Sequence, residues 1–125
     1  MSMLQLAYIF NIVVLLPIAM ATIFRIFPAD EGRFDESEGW RLLVGGLWTG
    51  IVVLSVLGLF QPVLYSPVLL LQVIYKSIWL AAYVAPRLVR RETSAVPWKM
   101  TSCFVAIVAV WPFAIPWTYL LGSGG

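Results

Sequence analysis

The chain has no histidine, a single cysteine (Cys103), and charged residues at only 11% of its 125 positions. Without histidine, imidazole-ligated haem or chlorophyll-type pigment, His-based metal sites and Ser-His-Asp chemistry within this chain are excluded. One cysteine cannot close an intrachain disulfide, and it leaves the redox compartment unread. The net charge of +2 is too small, and the basic residues too few, for a nucleic-acid surface. The acidic segment 30–38 lacks the ligand spacing of a calcium loop. No metal or other cofactor is expected.

What the chain has in excess is apolar surface: 62% of residues are hydrophobic, and the mean hydropathy is +0.94. A water-soluble domain is nearer half apolar and a quarter charged. A domain of this size leaves too much of its surface in water to hide the surplus, and hydrocarbon removes the conflict. About 20 apolar residues, at about 1.5 Å rise each, cross a hydrocarbon core of about 30 Å. Four segments qualify, at about 3–27, 40–60, 65–86 and 97–121, the third starting between Val63 and Pro67. Backbone groups in lipid must be satisfied within their own segment, which imposes helix despite many β-branched residues. The expected fold is an all-α, four-transmembrane-helix bundle with short connections, forming one domain over 1–125.

Boundary signals agree with that division. Asp35 with Glu38 three residues on reads as a capping box opening the second helix. Pro97 and Pro67 suit first turns, where a missing N–H costs nothing, and Pro86 marks a last turn. Pro17 lies inside the first span, where it frees the carbonyl of Val13 and predicts a kink. Pro112 and Pro116 predict a bent or partly unwound end to the fourth. Ala19-Met20-Ala21 has the form of a cleavage site. With no basic segment before it and apolar residues running on to Phe27, the first segment is expected to stay as a span.

Orientation follows from the basic residues, which mark cytoplasmic loops. Arg25, Arg33 and Arg41 flank the first connector, and Arg87, Arg90, Arg91 and Lys99 flank the third; the turn 61–66 and both tails have none. Both Arg-bearing connectors therefore belong on the cytoplasmic side and both termini on the outer, periplasmic side. The one-sided bias argues against a dual-topology dimer. Trp40 and Trp98 at one interface and Tyr65, Trp117 and Tyr119 at the other fit this placement. The compact form suggests a bacterial inner membrane.

One basic residue stands apart. Lys76 lies near the middle of the third span, and no Asp or Glu lies inside any span. A mid-bilayer lysine costs about 2.5–3.5 kcal/mol on insertion scales, so it should face protein or a wet cavity. Helical spacing places Gln72, Lys76, Trp79 and Tyr83 on one stripe, with Tyr75 beside it and Asn11 of the first span able to meet it. Three outcomes are open for Lys76: an uncharged amine, bonds to carbonyls, Asn11 or water, or an anion from outside the chain. In the second span Gly46 and Gly50 form a GxxxG that Gly58 extends, a pattern for close helix packing within the bundle or, less simply, at a dimer seam. Arg87, Arg90, Arg91 and Lys99 could attract anionic lipid headgroups, although orientation alone accounts for them. Cys103 reads as a packing residue.

With no nucleophile–base pair and no carboxylate pair at membrane depth, an enzyme is not expected. The leading expectation is a non-catalytic accessory or structural subunit that packs laterally against another integral membrane protein or itself, and against membrane lipids. The alternative is a small homo-oligomeric transporter, channel or lipophilic-ligand binder that uses Lys76.

Overall fold

A computed structural model describes residues 2–26 and 35–122. Among these residues every regular element is helical: α1 (Met3–Ile23), α2 (Glu38–Phe60), α3 (Pro67–Val89), α4 (Trp98–Ala114) and the short α5 (Trp117–Leu121). The first three are long and apolar enough to cross a membrane, and α4 is a shorter apolar helix of the same kind. These features define a multi-pass helical membrane protein. Arg33 and Phe27 lie outside the described residues.

The helix starts are local chemistry. Ser2 and Gln5 close a reciprocal capping box on α1, Gln5 N–H donating to Ser2 Oγ at 3.2 Å and Ser2 N–H to Gln5 Oε1 at 3.1 Å. The N-cap of α2 is Ser37, whose Oγ accepts from Trp40 N–H at 3.4 Å. This corrects the expected Asp35–Glu38 box, because the helix starts two residues later and Glu38 occupies its first position. Pro67 is the first residue of α3, as its missing N–H allows. Pro97 is the N-cap of α4 rather than part of its first turn.

The internal prolines act through wider turns. Asn11–Leu15 and Leu80–Val84 are single π-turns inside α1 and α3, and each ends two residues before a proline, Pro17 and Pro86. A pyrrolidine ring crowds the carbonyl four residues back; a π-turn widens the backbone there. α3 consequently continues past Pro86 to Val89. The end of the chain behaves differently: Ile115 is extended, so 97–121 is two helices and not one. Pro116 has no N–H for the carbonyl of Pro112, and the Trp117 indole takes that carbonyl at 2.8 Å.

Helices α1 and α3 each end in a left-handed residue, Arg25 (φ 55°) and Arg91 (φ 60°). The bonds Ile26 N–H to Ala21 O (2.8 Å) and Glu92 N–H to Arg87 O (2.7 Å) complete Schellman ends. A cation at a helix C-terminus faces the negative end of the dipole, which offsets part of the cost of the unusual φ. Arg41 adds a second device, its guanidinium donating to the last carbonyls of α1, Thr22 (2.8 Å) and Ile23 (2.6 Å), and to Glu36 (3.0 Å).

α1 packs along α2, and α3 along α4. Two glycines set the α1–α2 distance. A Cβ on Gly45 would lie 2.5 Å from Ile23 Cγ1, and one on Gly58 2.7 Å from the Tyr8 ring, itself fixed by a bond from its hydroxyl to the Pro62 carbonyl. Gly46 and Gly50 do not take part: both are exposed, and a Cβ on either meets nothing within 4 Å. Packing of Gly46 and Gly50 inside the bundle is the part of the GxxxG expectation corrected here, since the inward face of α2 runs through Gly45, Trp48, Val52, Ser55 and Gly58. Gly58→Val is expected to cost about 1–3 kcal/mol by overpacking, whereas Gly46→Ala and Gly50→Ala should be neutral or stabilising by up to about 1 kcal/mol. Unfolding titrations with denaturing detergent, run on all three variants, measure the contrast.

Candidate functional site

One level of the bundle ties all four long helices together. Asn11 of α1 and Gln72 of α3 face each other as a reciprocal amide pair: Asn11 Nδ2 donates to Gln72 Oε1 at 2.9 Å, and Gln72 Nε2 to Asn11 Oδ1 at 3.1 Å. Asn11 Nδ2 also reaches Ser55 Oγ of α2 at 3.1 Å, and that hydroxyl donates to the Ile51 carbonyl at 2.7 Å. The Trp111 indole of α4 donates to Gln72 Oε1 at 3.2 Å. Asn11, Ser55 and Gln72 are at most 2% exposed. Asn11 opens the π-turn of α1, and Ser55 lies on the glycine-bearing face of α2.

Lys76 sits one turn further along α3 and is 1% exposed. Its Nζ donates to Tyr75 Oη at 2.6 Å and lies 4.4 Å from the ring centroids of both Tyr75 and Phe104. A hydrogen bond to a charged group contributes about 1.5–3 kcal/mol, and desolvated cation–π contacts about 2 kcal/mol. These are of the size of the insertion cost, about 2.5–3.5 kcal/mol, so the fold tolerates Lys76 without a carboxylate. The contacts suit a protonated amine and bring no counter-charge to it.

Tyr75, Trp79 and Tyr83 form, with Phe104, an aromatic run toward the third connector. Trp79 meets Phe104 edge-on at 5.2 Å and stacks on Tyr83 at 5.4 Å. Tyr83 Oη donates to the Ala95 carbonyl at 2.7 Å, and Arg87 lies 3.7 Å over the Tyr83 ring. Trp79 and Tyr83 thus brace the connector, and neither lines the cavity described next. Arg90 pairs with Glu92 at 3.9 Å in the open, Arg91 is the exposed left-handed residue, and Lys99 is exposed near the start of α4.

Beside Lys76 a cavity of about 340 Å³ opens among the four long helices. Helix α1 supplies Phe10, Asn11, Val14 and Ile18; α2 supplies Trp48. Helix α3 contributes Gln72 and Lys76, and α4 the stretch from Lys99 through Cys103 and Phe104 to Ile107. Among the described residues no acidic side chain lines it. Of the residues singled out from sequence, Lys76, Gln72, Asn11 and Lys99 meet here, while Tyr75 touches the cavity only through Lys76. Cys103, expected as packing, is part of the wall. Trp48, Ser55, Phe104 and Trp111 were missed: a tryptophan or serine in an apolar run carries no mark of the helix it will face. No family model, no characterised protein and no solved structure compared with this chain matches it, so the site must be read from its own chemistry.

Asn11 and Gln72 exchange two hydrogen bonds, so either change alone leaves the other amide only its bond to Ser55 or to Trp111. The Asn11→Leu and Gln72→Leu variants are each expected to lose stability. The double variant should lose less than their sum, with a coupling of about 1 kcal/mol, in the range of interhelical hydrogen bonds within membranes. A double-mutant cycle in detergent micelles gives the value.

Proposed function

We propose that this chain is a non-catalytic, four-span membrane protein that holds a lipophilic molecule in the cavity beside Lys76. The cavity carries the reading. Helical bundles place ligand sites between helices, as apolar pockets with a few convergent polar groups, and this one joins apolar walls to a buried ammonium. In this reading α4 is the fourth crossing: its 17 residues span about 26 Å at about 1.5 Å each, and α5 continues after the proline break. The Arg-bearing connectors face the cytoplasm and both termini the periplasm, and the short connectors suit a bacterial inner membrane.

A second reading, an accessory subunit, draws on Gly46 and Gly50. They face outward beside the exposed Leu43, Leu47 and Leu54, a surface on which a helix of another membrane protein could close. One preparation separates the two. After extraction in mild detergent, native mass spectrometry of the wild-type chain should show a retained small molecule, and Val14→Trp, which fills the cavity, should remove it without unfolding the protein. A wild-type chain free of small molecules, carrying instead a stoichiometric polypeptide that Gly50→Leu releases, would favour the second reading.

Orientation has its own measurement. In a Cys103→Ser background, single cysteines at Ser2 and Gly122 should react with an impermeant thiol reagent added outside intact cells, and one at Ser94 only after lysis. The reverse pattern, or Ser94 labelling from outside together with Ser2, sinks the proposed topology.

A further inference from the structure

Resting on that binding reading, we infer that the occupant is a single-chain lipophilic carboxylate whose head pairs with Lys76 Nζ. The first ground is charge. The deep wall carries one ammonium, and no acidic side chain among the described residues lines the cavity. An ion in a low-dielectric site is costly until a counter-charge joins it, and the ring faces of Tyr75 and Phe104 hold the cation without supplying one.

The second ground is stoichiometry. An ammonium has three N–H donors, of which Tyr75 Oη takes one at 2.6 Å; the two that remain match the two oxygens and single charge of a carboxylate. A phosphate dianion would leave a surplus negative charge buried. The amides of Asn11 and Gln72 are already engaged with each other and serve as a fixed floor rather than as a second anion site.

The third ground is shape. Val14 and Ile18 of α1 face Ile107 of α4 across an apolar space. At about 30 Å³ per water-sized group, it encloses on the order of a dozen heavy atoms, which suits one alkyl chain and not a two-chain lipid. Phe10 and Lys99, both exposed, stand on the rim. A longer chain leaves past Phe10 into the surrounding hydrocarbon.

The test uses the full chain in phosphatidylcholine vesicles, with quenching of tryptophan fluorescence (Trp48 lines the cavity) by ω-bromoundecanoate, the uncharged ω-bromoundecanol and the matching alkyl phosphate. Saturable quenching by the carboxylate at a concentration about tenfold below that of the alcohol is expected, the size of one moderately buried ion pair. Lys76→Met should abolish this preference while alcohol binding persists, and Lys76→Arg should keep it. Equal affinity for carboxylate and alcohol, a preference that survives in Lys76→Met, or tighter binding of the phosphate would each overturn the assignment. Absence of saturable quenching by any probe would remove the binding reading itself. Should Lys76→Met fail to fold, Lys76→Gln decides: loss of the preference for the carboxylate supports the inference, and an unchanged preference ends it.

Discussion

The structure depends on one polar contact, the amide pair of Asn11 and Gln72. In lipid, apolar side chains gain nothing by leaving their solvent for one another, so association of helices falls to close packing and hydrogen bonds. The two amides, with Ser55 and Trp111, put one side chain from each long helix into a single bonded group. That group fixes the rotation of α3: with Gln72 turned inward, Lys76 four residues on must turn inward too. The buried lysine is therefore a consequence of register as well as a feature of its own.

Small residues and wide turns let the helices come close enough for those bonds. Gly45 and Gly58 leave no room for a methyl group between α1 and α2. The π-turn that begins at Asn11 lies just ahead of Pro17, at the level where the amide must cross to α3. The same proline logic that shapes α1 recurs in α3, whose π-turn contains Tyr83, and there it serves the brace between Tyr83 and the connector rather than the cavity. Bonding level and cavity adjoin, and Gln72 and Asn11 belong to both.

Much of this was readable in the residues. The apolar runs gave the long helices within a few residues, because length and hydropathy alone determine whether a segment suits hydrocarbon. Pro67 marked a start, and Pro112 with Pro116 marked a disrupted end. Lys76 stood out by cost. The failures share a cause. Gly46 and Gly50 fit the packing motif better than Gly45 does, yet α2 is apolar nearly all round, so its pattern could not tell inward from outward. The Asp35–Glu38 box was a sound local pattern overtaken by Ser37, which caps the helix from two residues further on. Ser2 with Gln5 was passed over because a capping box at the edge of an apolar run reads as the run itself.

The sequence by itself determined that the chain belongs in a bilayer, which segments form its helices and that one lysine is stranded among them, because each of these rests on transfer free energies that add along the chain. Only the tertiary structure decided which glycines touch, which amides meet, and that Lys76 is held by two aromatic faces at the edge of a cavity. Those outcomes depend on how each helix is rotated about its axis, and a helix surrounded by lipid carries little amphipathic signal to fix that rotation. A few hydrogen bonds between distant residues fix it instead.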